Sequence, residues 1–218
     1  MDDLLELARS VVRSEAAGIA DLESQLDERL LAAARMLIEA PGKVLTSGVG
    51  TSGQTARRLA HLLSVTGTPA LYVNPVDGLH GGLGALGRGD VLVVVSKNGD
   101  GDEVHEFVER ARGLAAPVIV LSSVADSRLA VLGDLTVILS VPRAADPGGI
   151  VAMGSSLVFS AWGDALAMVA MRLRGYRWEQ VLFAHPGGAV GRLAIGDLEA
   201  APGGGEVVAA APQASEER

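Results

Sequence analysis

The sequence predicts an α/β fold, a doubly wound five-stranded parallel sheet preceded by a long N-terminal helical segment. Three observations lead to this prediction. After Pro41-Gly42, short runs rich in Val, Leu and Ile alternate with stretches of helical periodicity. The run Val91–Val95 is apolar at every position, which is typical of a central parallel strand covered by helices on both faces. The length of 218 residues fits one such domain.

The N-terminal segment, residues 1–41, is predicted to be helical from residue 4 to residue 40. Its leucines recur at spacings that keep them on one helical face, and acidic residues occupy the opposite face. These leucines are Leu22, Leu26, Leu30 and Leu37. Pro41-Gly42 ends the pattern. We expect this helix to serve packing or dimerisation.

The sheet domain is predicted to span residues 42–195. Strands are expected at 44–47, 70–73, 90–96, 117–122 and 135–139. Helices are expected at 54–64, 103–114, 127–132 and 155–174. Residues 196–218 are rich in Ala, Gly, Pro and Glu without periodicity, which predicts a disordered tail because such a segment buries too little apolar surface to offset its ordering entropy.

Composition argues against several classes of protein. The net charge of -8 disfavours non-specific nucleic-acid binding, which needs clustered Lys and Arg. The sequence has no uninterrupted apolar stretch of about twenty residues, so no membrane span is predicted. The acidic N-terminus and the absence of cysteine favour the cytoplasm. No cofactor or metal is expected, because nucleotide-binding glycine fingerprints are missing and the histidines are scattered.

Two glycine-rich loops follow the first and third predicted strands. The first spans residues 48–53 and the second spans residues 96–103, and each precedes a helix. Glycines let backbone amides approach a phosphate, hydroxyls add donors, and the helix presents unsatisfied N–H groups. Because parallel strands place their carboxyl ends at one edge, both loops are expected to converge on one anion. Lys97 is either a phosphate partner or a solvated charge, and we favour the solvated interpretation.

Five segments together resemble the SIS (sugar isomerase) domain family, and within it the bacterial arabinose-5-phosphate isomerases, over residues 44–192. The matching segments are Gly48-Val49-Gly50-Thr51-Ser52-Gly53, Thr66-Gly67-Thr68-Pro69, His80-Gly81-Gly82-Leu83-Gly84, Gly163-Asp164-Ala165-Leu166-Ala167 and His185-Pro186-Gly187-Gly188-Ala189-Val190-Gly191-Arg192. The resemblance implies a five-stranded SIS-type sandwich that binds a sugar phosphate. It also implies a homodimer or homotetramer with sites at subunit boundaries.

The resemblance also assigns roles by position. The implied phosphate-binding residues are Ser47, Gly50, Thr51, Ser52, Ser96, Asn98, Gly99 and Ser155. The implied catalytic residues are Glu103, His185 and His80. Each of the three has a purely structural alternative. Glu103 would complement a helix dipole, while His185 and His80 would each fix a glycine-rich turn.

Two departures bear on activity. The isomerases usually carry Lys where this chain has Thr51 and Glu where it has Ala144, and the second loop reads Ser96-Lys97-Asn98-Gly99-Asp100 instead of Ser-Asn-Ser-Gly-Glu. A missing acid or base costs about 10² to 10⁴ in rate. The long family form also appends regulatory nucleotide-binding repeats where the tail stands here.

The expected function is therefore a phosphosugar aldose–ketose isomerase that acts on a pentose or hexose phosphate through an enediol, with Glu103 and His185 as the proton-transfer pair. A non-catalytic phosphosugar-binding or regulatory protein is the alternative. An altered position of isomerisation on the same class of substrate is a third.

Overall fold

The computed structural model of the chain describes residues 2–193. Its centre is a five-stranded sheet in the order β2-β1-β3-β4-β5, with every neighbouring pair parallel. The strands are β1 (Val44–Ser47), β2 (Ala70–Val73), β3 (Val91–Val95), β4 (Val118–Ser122) and β5 (Leu135–Ile138). The predicted fold class and all five strands are confirmed. The predicted tail, residues 196–218, lies outside the described residues.

Helices cover both faces of the sheet. They are α1 (Asp2–Leu22), α2 (Glu28–Glu39), α3 (Gly50–Val65), α4 (Pro75–Leu79), α5 (Asp102–Gly113), α6 (Gly154–Arg174) and α7 (Trp178–Ala184). One core lies under α2, α3 and α6, and α1 joins it at its C-terminal end. The second core lies under α5. The strand β3 is buried on both sides, since Val91, Val93 and Val95 enter the first core and its two intervening residues enter the second.

The strand order reverses between β1 and β3, and this reversal creates a crevice at the carboxyl edge of the sheet. Both strands are neighbours, with Ser47 in register with Val94. The chain leaves β1 into α3 on one face, and it leaves β3 into α5 on the other face. In open parallel sheets ligands bind at such a switch point. The two glycine-rich loops therefore flank the expected binding crevice.

Three predicted helices differ from the structure. The helix expected over 4–40 is interrupted after Leu22, because Gln25 exchanges side-chain hydrogen bonds with the backbone of Ser140 and Asp27 then caps α2. The helix expected over 127–132 is only a 3₁₀ turn at Ala130–Leu132. The helix α3 starts at Gly50 rather than at residue 54. The short helices α4 and α7 were not predicted.

The helix α6 is long and apolar enough to cross a bilayer by length and composition, the single such helix within residues 2–193. Part of its apolar surface is buried in the core, because Trp162 and Leu166 are fully buried against the sheet and its neighbouring helices. It is the central core helix of this fold.

Candidate functional site

The first glycine-rich loop brings the N-terminus of α3 to the carboxyl edge. A side chain at Gly48 would place a Cβ 2.7 Å from the Val95 carbonyl oxygen, so only glycine lets this loop approach β3 so closely. Gly50 adopts a φ of +59° and opens α3. Val49, which precedes it, provides no side-chain cap. The first amides of α3, at Gly50, Thr51 and Ser52, are therefore arranged to receive an anion.

Tyr72 on β2 holds this loop in place. Its hydroxyl donates to the Gly48 carbonyl oxygen at 2.8 Å, and the Arg57 guanidinium lies 4.3 Å from its ring centroid. Ser47 is fully buried, and its hydroxyl donates to the Val73 carbonyl oxygen at 2.7 Å. The Ser47 hydroxyl proton therefore forms a hydrogen bond between β1 and β2, although this residue was predicted to bind phosphate. Nothing in the sequence pattern pointed to Tyr72.

The second loop is closed by its own hydrogen bonds. The Gly99 N–H donates to the Ser96 hydroxyl at 3.2 Å, and Gly99 adopts a φ of +72°. A Cβ at Gly99 would overlap the Ser127 hydroxyl, so this position requires glycine on two counts. Asn98 is exposed between them. The loop therefore offers the Asn98 amide to a ligand, while Ser96 is half-buried and Gly99 is buried beneath it.

Lys97 does not behave as the solvated charge that the sequence suggested. Its ammonium lies 2.6 Å from Asp146 Oδ2, and the Asp146 side chain is only 3% exposed. The other carboxylate oxygen, Oδ1, accepts the Ser155 N–H at 2.9 Å. Burial acts to raise the pKa of Asp146, but the hydrogen bonds from Lys97 and Ser155 outweigh it and hold that pKa below its ordinary value. The pair ties the second loop to the start of α6.

Two buried hydroxyls near this pair lack a hydrogen-bond partner within the described residues. They are Ser155 Oγ, in the first turn of α6, and Ser123 Oγ, just after β4. The Ser123 N–H donates to the Lys97 carbonyl oxygen at 2.9 Å, so both serines adjoin the same unit. A buried hydroxyl without a partner is costly, and such groups concentrate where a ligand or water completes them. Sequence reasoning selected Ser155 and missed Ser123, because only the strand order brings β4 beside β3.

Glu103 and His80 belong to the same layer of the fold. Glu103 is half-buried in the first turn of α5, where the second loop ends. His80 is exposed at the C-terminal end of α4, followed by Gly81 with a φ of +110°. The helices α4 and α5 are in direct contact, since Gly78 packs against the Phe107 ring. Both residues therefore lie on the α5 side of the crevice.

His185 lies at the end of α7 and is bonded within that helix. Its Nδ1 donates to the Val181 carbonyl oxygen at 2.7 Å. The chain reaches α7 from the amino edge of the sheet, because α6 ends where Arg174 donates to the Leu37 carbonyl oxygen and Tyr176 packs against Gly67. A helix of seven residues is only about 10 Å long. The helix α7 thus begins near the amino edge, and within the described residues His185 makes no hydrogen bond to either glycine-rich loop.

The chain is similar to known proteins over most of its length. The model of the SIS domain family matches residues 36–168. The arabinose 5-phosphate isomerase KdsD of Salmonella typhi is 30% identical over 199 residues, covering 90% of this chain and 61% of the relative. The enzyme of the same name from Yersinia pestis is 30% identical over 216 residues, covering 98% and 65%. The chain thus spans less than two thirds of the length of these relatives.

Two solved structures share the fold. The protein c3406 of Escherichia coli CFT073, in complex with arabinose 5-phosphate, gives a TM-score of 0.81 at 28% identity and covers 85% of this chain and 98% of that one. A proposed sugar-phosphate isomerase from Listeria monocytogenes gives a TM-score of 0.81 at 29% identity, covering 84% and 97%. Both match nearly their whole length to this chain, so the similarity covers an entire domain.

Proposed function

The chain belongs to the SIS domain family, and we propose that it is a phosphosugar isomerase that interconverts an aldose and a ketose phosphate of five or six carbons. The observation that carries this proposal is the uncapped start of α3, placed beside the second glycine-rich loop at the switch point of the sheet. Relatives that are named arabinose 5-phosphate isomerases, and a similar structure in complex with arabinose 5-phosphate, support a phosphopentose.

In this proposal the phosphate binds at the start of α3. The amides of Gly50, Thr51 and Ser52 point at it, and the hydroxyls of Thr51 and Ser52 add donors. Asn98 contributes an amide from the second loop, and Ser155 contributes the hydroxyl that lacks a partner within the described residues. Ser47 and Gly99 shape the crevice from beneath, since the Ser47 hydroxyl and the Gly99 amide donate internal bonds. The Ser96 hydroxyl accepts from Gly99 and keeps its own proton for the phosphate.

The proposed chemistry is a proton transfer between two adjacent carbons. In the aldose-to-ketose direction, Glu103 removes the proton from C2 of the open-chain sugar, and the electron pair forms the C1=C2 bond of an enediol. The carbonyl oxygen at C1 takes a proton at the same time. Glu103 then returns the proton to C1, and the hydroxyl at C2 loses its proton to become the ketone. His185 and His80 are the candidate groups for the oxygen protons and for ring opening.

With His185 as the partner of Glu103, this scheme needs two copies of the chain at each site. Glu103 lies in the first turn of α5 beside the second loop, while His185 follows α7, whose start is near the amino edge of the same chain. A homodimer or homotetramer would bring His185 of one copy to Glu103 of another. The exposed apolar residues of α1, Leu5 and Val12 among them, offer a surface for such an association.

The test is proton exchange at the carbon beside the carbonyl, followed by NMR in deuterated water with arabinose 5-phosphate and other sugar phosphates. We expect exchange with one phosphosugar, with Glu103→Gln slowing it about 10² to 10⁴-fold. Glu106→Gln is the matched control, because Glu106 lies on the same helix but is paired with Arg110 at the surface. Absence of exchange with every sugar phosphate in the panel would contradict the proposal.

A second candidate function is a phosphosugar-binding or regulatory protein without turnover. It is favoured by Thr51 and Ala144, which stand where the family usually has Lys and Glu. Selective binding of a sugar phosphate without deuterium exchange would establish this function instead.

A further inference from the structure

The chain contains two lysines, and each forms an ion pair with a nearly buried aspartate. Lys43 precedes β1 and lies 2.7 Å from Asp90 Oδ2 at the amino edge of the sheet. Lys97 follows β3 and lies 2.6 Å from Asp146 Oδ2 at the carboxyl edge. Each aspartate also accepts backbone N–H groups, Asp90 from residues 43 and 87 and Asp146 from residue 155. The two pairs are therefore close chemical equivalents at opposite edges.

Among the described residues, the Lys97 ammonium at the carboxyl edge bonds to Asp146 and to no other group. A lysine ammonium has three donors, and Asp146 accepts one of them. The Lys97 side chain is 25% exposed, whereas Asp146 is 3% exposed. The Lys97 carbonyl oxygen is fixed by the Ser123 N–H at 2.9 Å and by the Ser122 hydroxyl at 3.2 Å. A backbone fixed by two hydrogen bonds and a buried carboxylate thus hold a cation on the loop that flanks the crevice, and its other donors have no partner within residues 2–193.

Stability alone does not account for a buried ion pair in this position. Replacing such a pair with well-packed apolar residues is often neutral or stabilising, because both charges must be desolvated. The same unit adjoins two buried hydroxyls without partners among the described residues, Ser123 Oγ and Ser155 Oγ. The cation and these hydroxyls lie on segments that the hydrogen bonds of Asp146 and of the Lys97 carbonyl join, and an anion would complete such a set of donors.

We propose that Lys97 binds the phosphate of the ligand and is the group that makes this site select phosphorylated sugars, with Asp146 as its positioning residue. This inference rests on the proposed function and assigns the cation of that same site. When the ligand is absent, Asp146 compensates the Lys97 charge. When a phosphate binds at the start of α3, the remaining Lys97 donors turn to it. The chain thereby supplies a lysine from the second loop although Thr51 occupies the first.

The test compares two double variants that remove one cation and one anion each. Lys97→Met with Asp146→Asn neutralises the pair at the crevice, and the retained amide oxygen still accepts the N–H of α6. Lys43→Met with Asp90→Asn is the matched control at the amino edge. Neither variant leaves a buried charge unpaired or alters the net charge. Circular dichroism and thermal unfolding establish that both fold.

Calorimetric titration then measures the Kd of inorganic phosphate, arabinose 5-phosphate and unphosphorylated arabinose. We expect the crevice variant to weaken both phosphate ligands by about tenfold or more, since it loses a hydrogen bond from a charged donor. The control variant should stay within about twofold of the wild type, a difference that a merely structural role at either edge would not produce.

The possible outcomes separate the Lys97 assignment from the proposed function. Equal phosphate binding by the wild type and the crevice variant overturns the Lys97 assignment, and the proposed function stands if arabinose 5-phosphate still binds. Phosphate binding that depends on Lys97, without any preference for a sugar phosphate, supports the assignment and overturns the proposed function. No binding of any phosphate ligand to the wild type overturns both.

Discussion

Tyr72→Phe isolates the support beneath the first glycine-rich loop. The change deletes only the hydroxyl that donates to the Gly48 carbonyl oxygen at 2.8 Å, and it keeps the ring beneath Arg57. The Tyr72 bond is part-buried, so the Gly48 carbonyl oxygen loses a partner that water cannot easily replace. The expected loss is about 1 kcal/mol in the free energy of unfolding. For a domain of this size, that corresponds to a fall in Tm of about 2 to 4 °C.

The second effect of Tyr72→Phe is expected in binding. Because Gly48 fixes the approach of the loop to β3, a looser loop should weaken phosphate binding about tenfold or less. Tyr176→Phe is the matched control, since Tyr176 donates to the Gln180 carbonyl oxygen at the protein surface. Thermal unfolding and phosphate titration of both variants provide the measurement. If the two variants lose equal stability and equal affinity, the reasoning about this support is wrong.

Three other experiments probe the same geometry. Asp146→Asn should lower the free energy of unfolding at pH 7, and the difference from the wild type should shrink as the pH falls below 3.8. The reason is that folding lowers the pKa of Asp146, so its stabilising charge is lost as the pH falls through the folded value. Denaturant titrations at about pH 7 and about pH 3 measure this difference, and a constant value would refute the reasoning. Gly53→Ala should cost about 1 to 3 kcal/mol and abolish phosphate binding, because its Cβ would lie 2.6 Å from the Gly48 carbonyl oxygen; Gly113→Ala, with open space around it, is the control. Mixing inactive Glu103→Gln and His185→Ala subunits should restore about a quarter of the wild-type activity if each site draws one residue from each copy of a dimer, and no recovery after confirmed subunit exchange would contradict a shared site.

Much of the fold follows from local physics. The five strands were predicted almost to the residue. Runs such as Val91–Val95 are apolar at every position, so neither face of the strand can lie in water and both must be covered by helices. The glycines at 48, 50 and 99 lie in the two loops that were predicted from sequence, and each has the tight contact or positive φ that requires glycine. Local sequence failed where a tertiary contact decides the boundary, as at Gln25, whose bonds to Ser140 end the first helix.

The sequence by itself determined the class of the fold, the strands and the position of the two glycine-rich loops, since each depends on neighbours a few positions apart along the chain. Only the tertiary structure decided that Lys97 meets Asp146, that Tyr72 supports Gly48, and that Gln25 bonds to Ser140. The physical reason is that these contacts join segments whose proximity depends on strand order and on helix length. A charge that looks solvated in the sequence can therefore be the partner of a buried carboxylate 49 residues away.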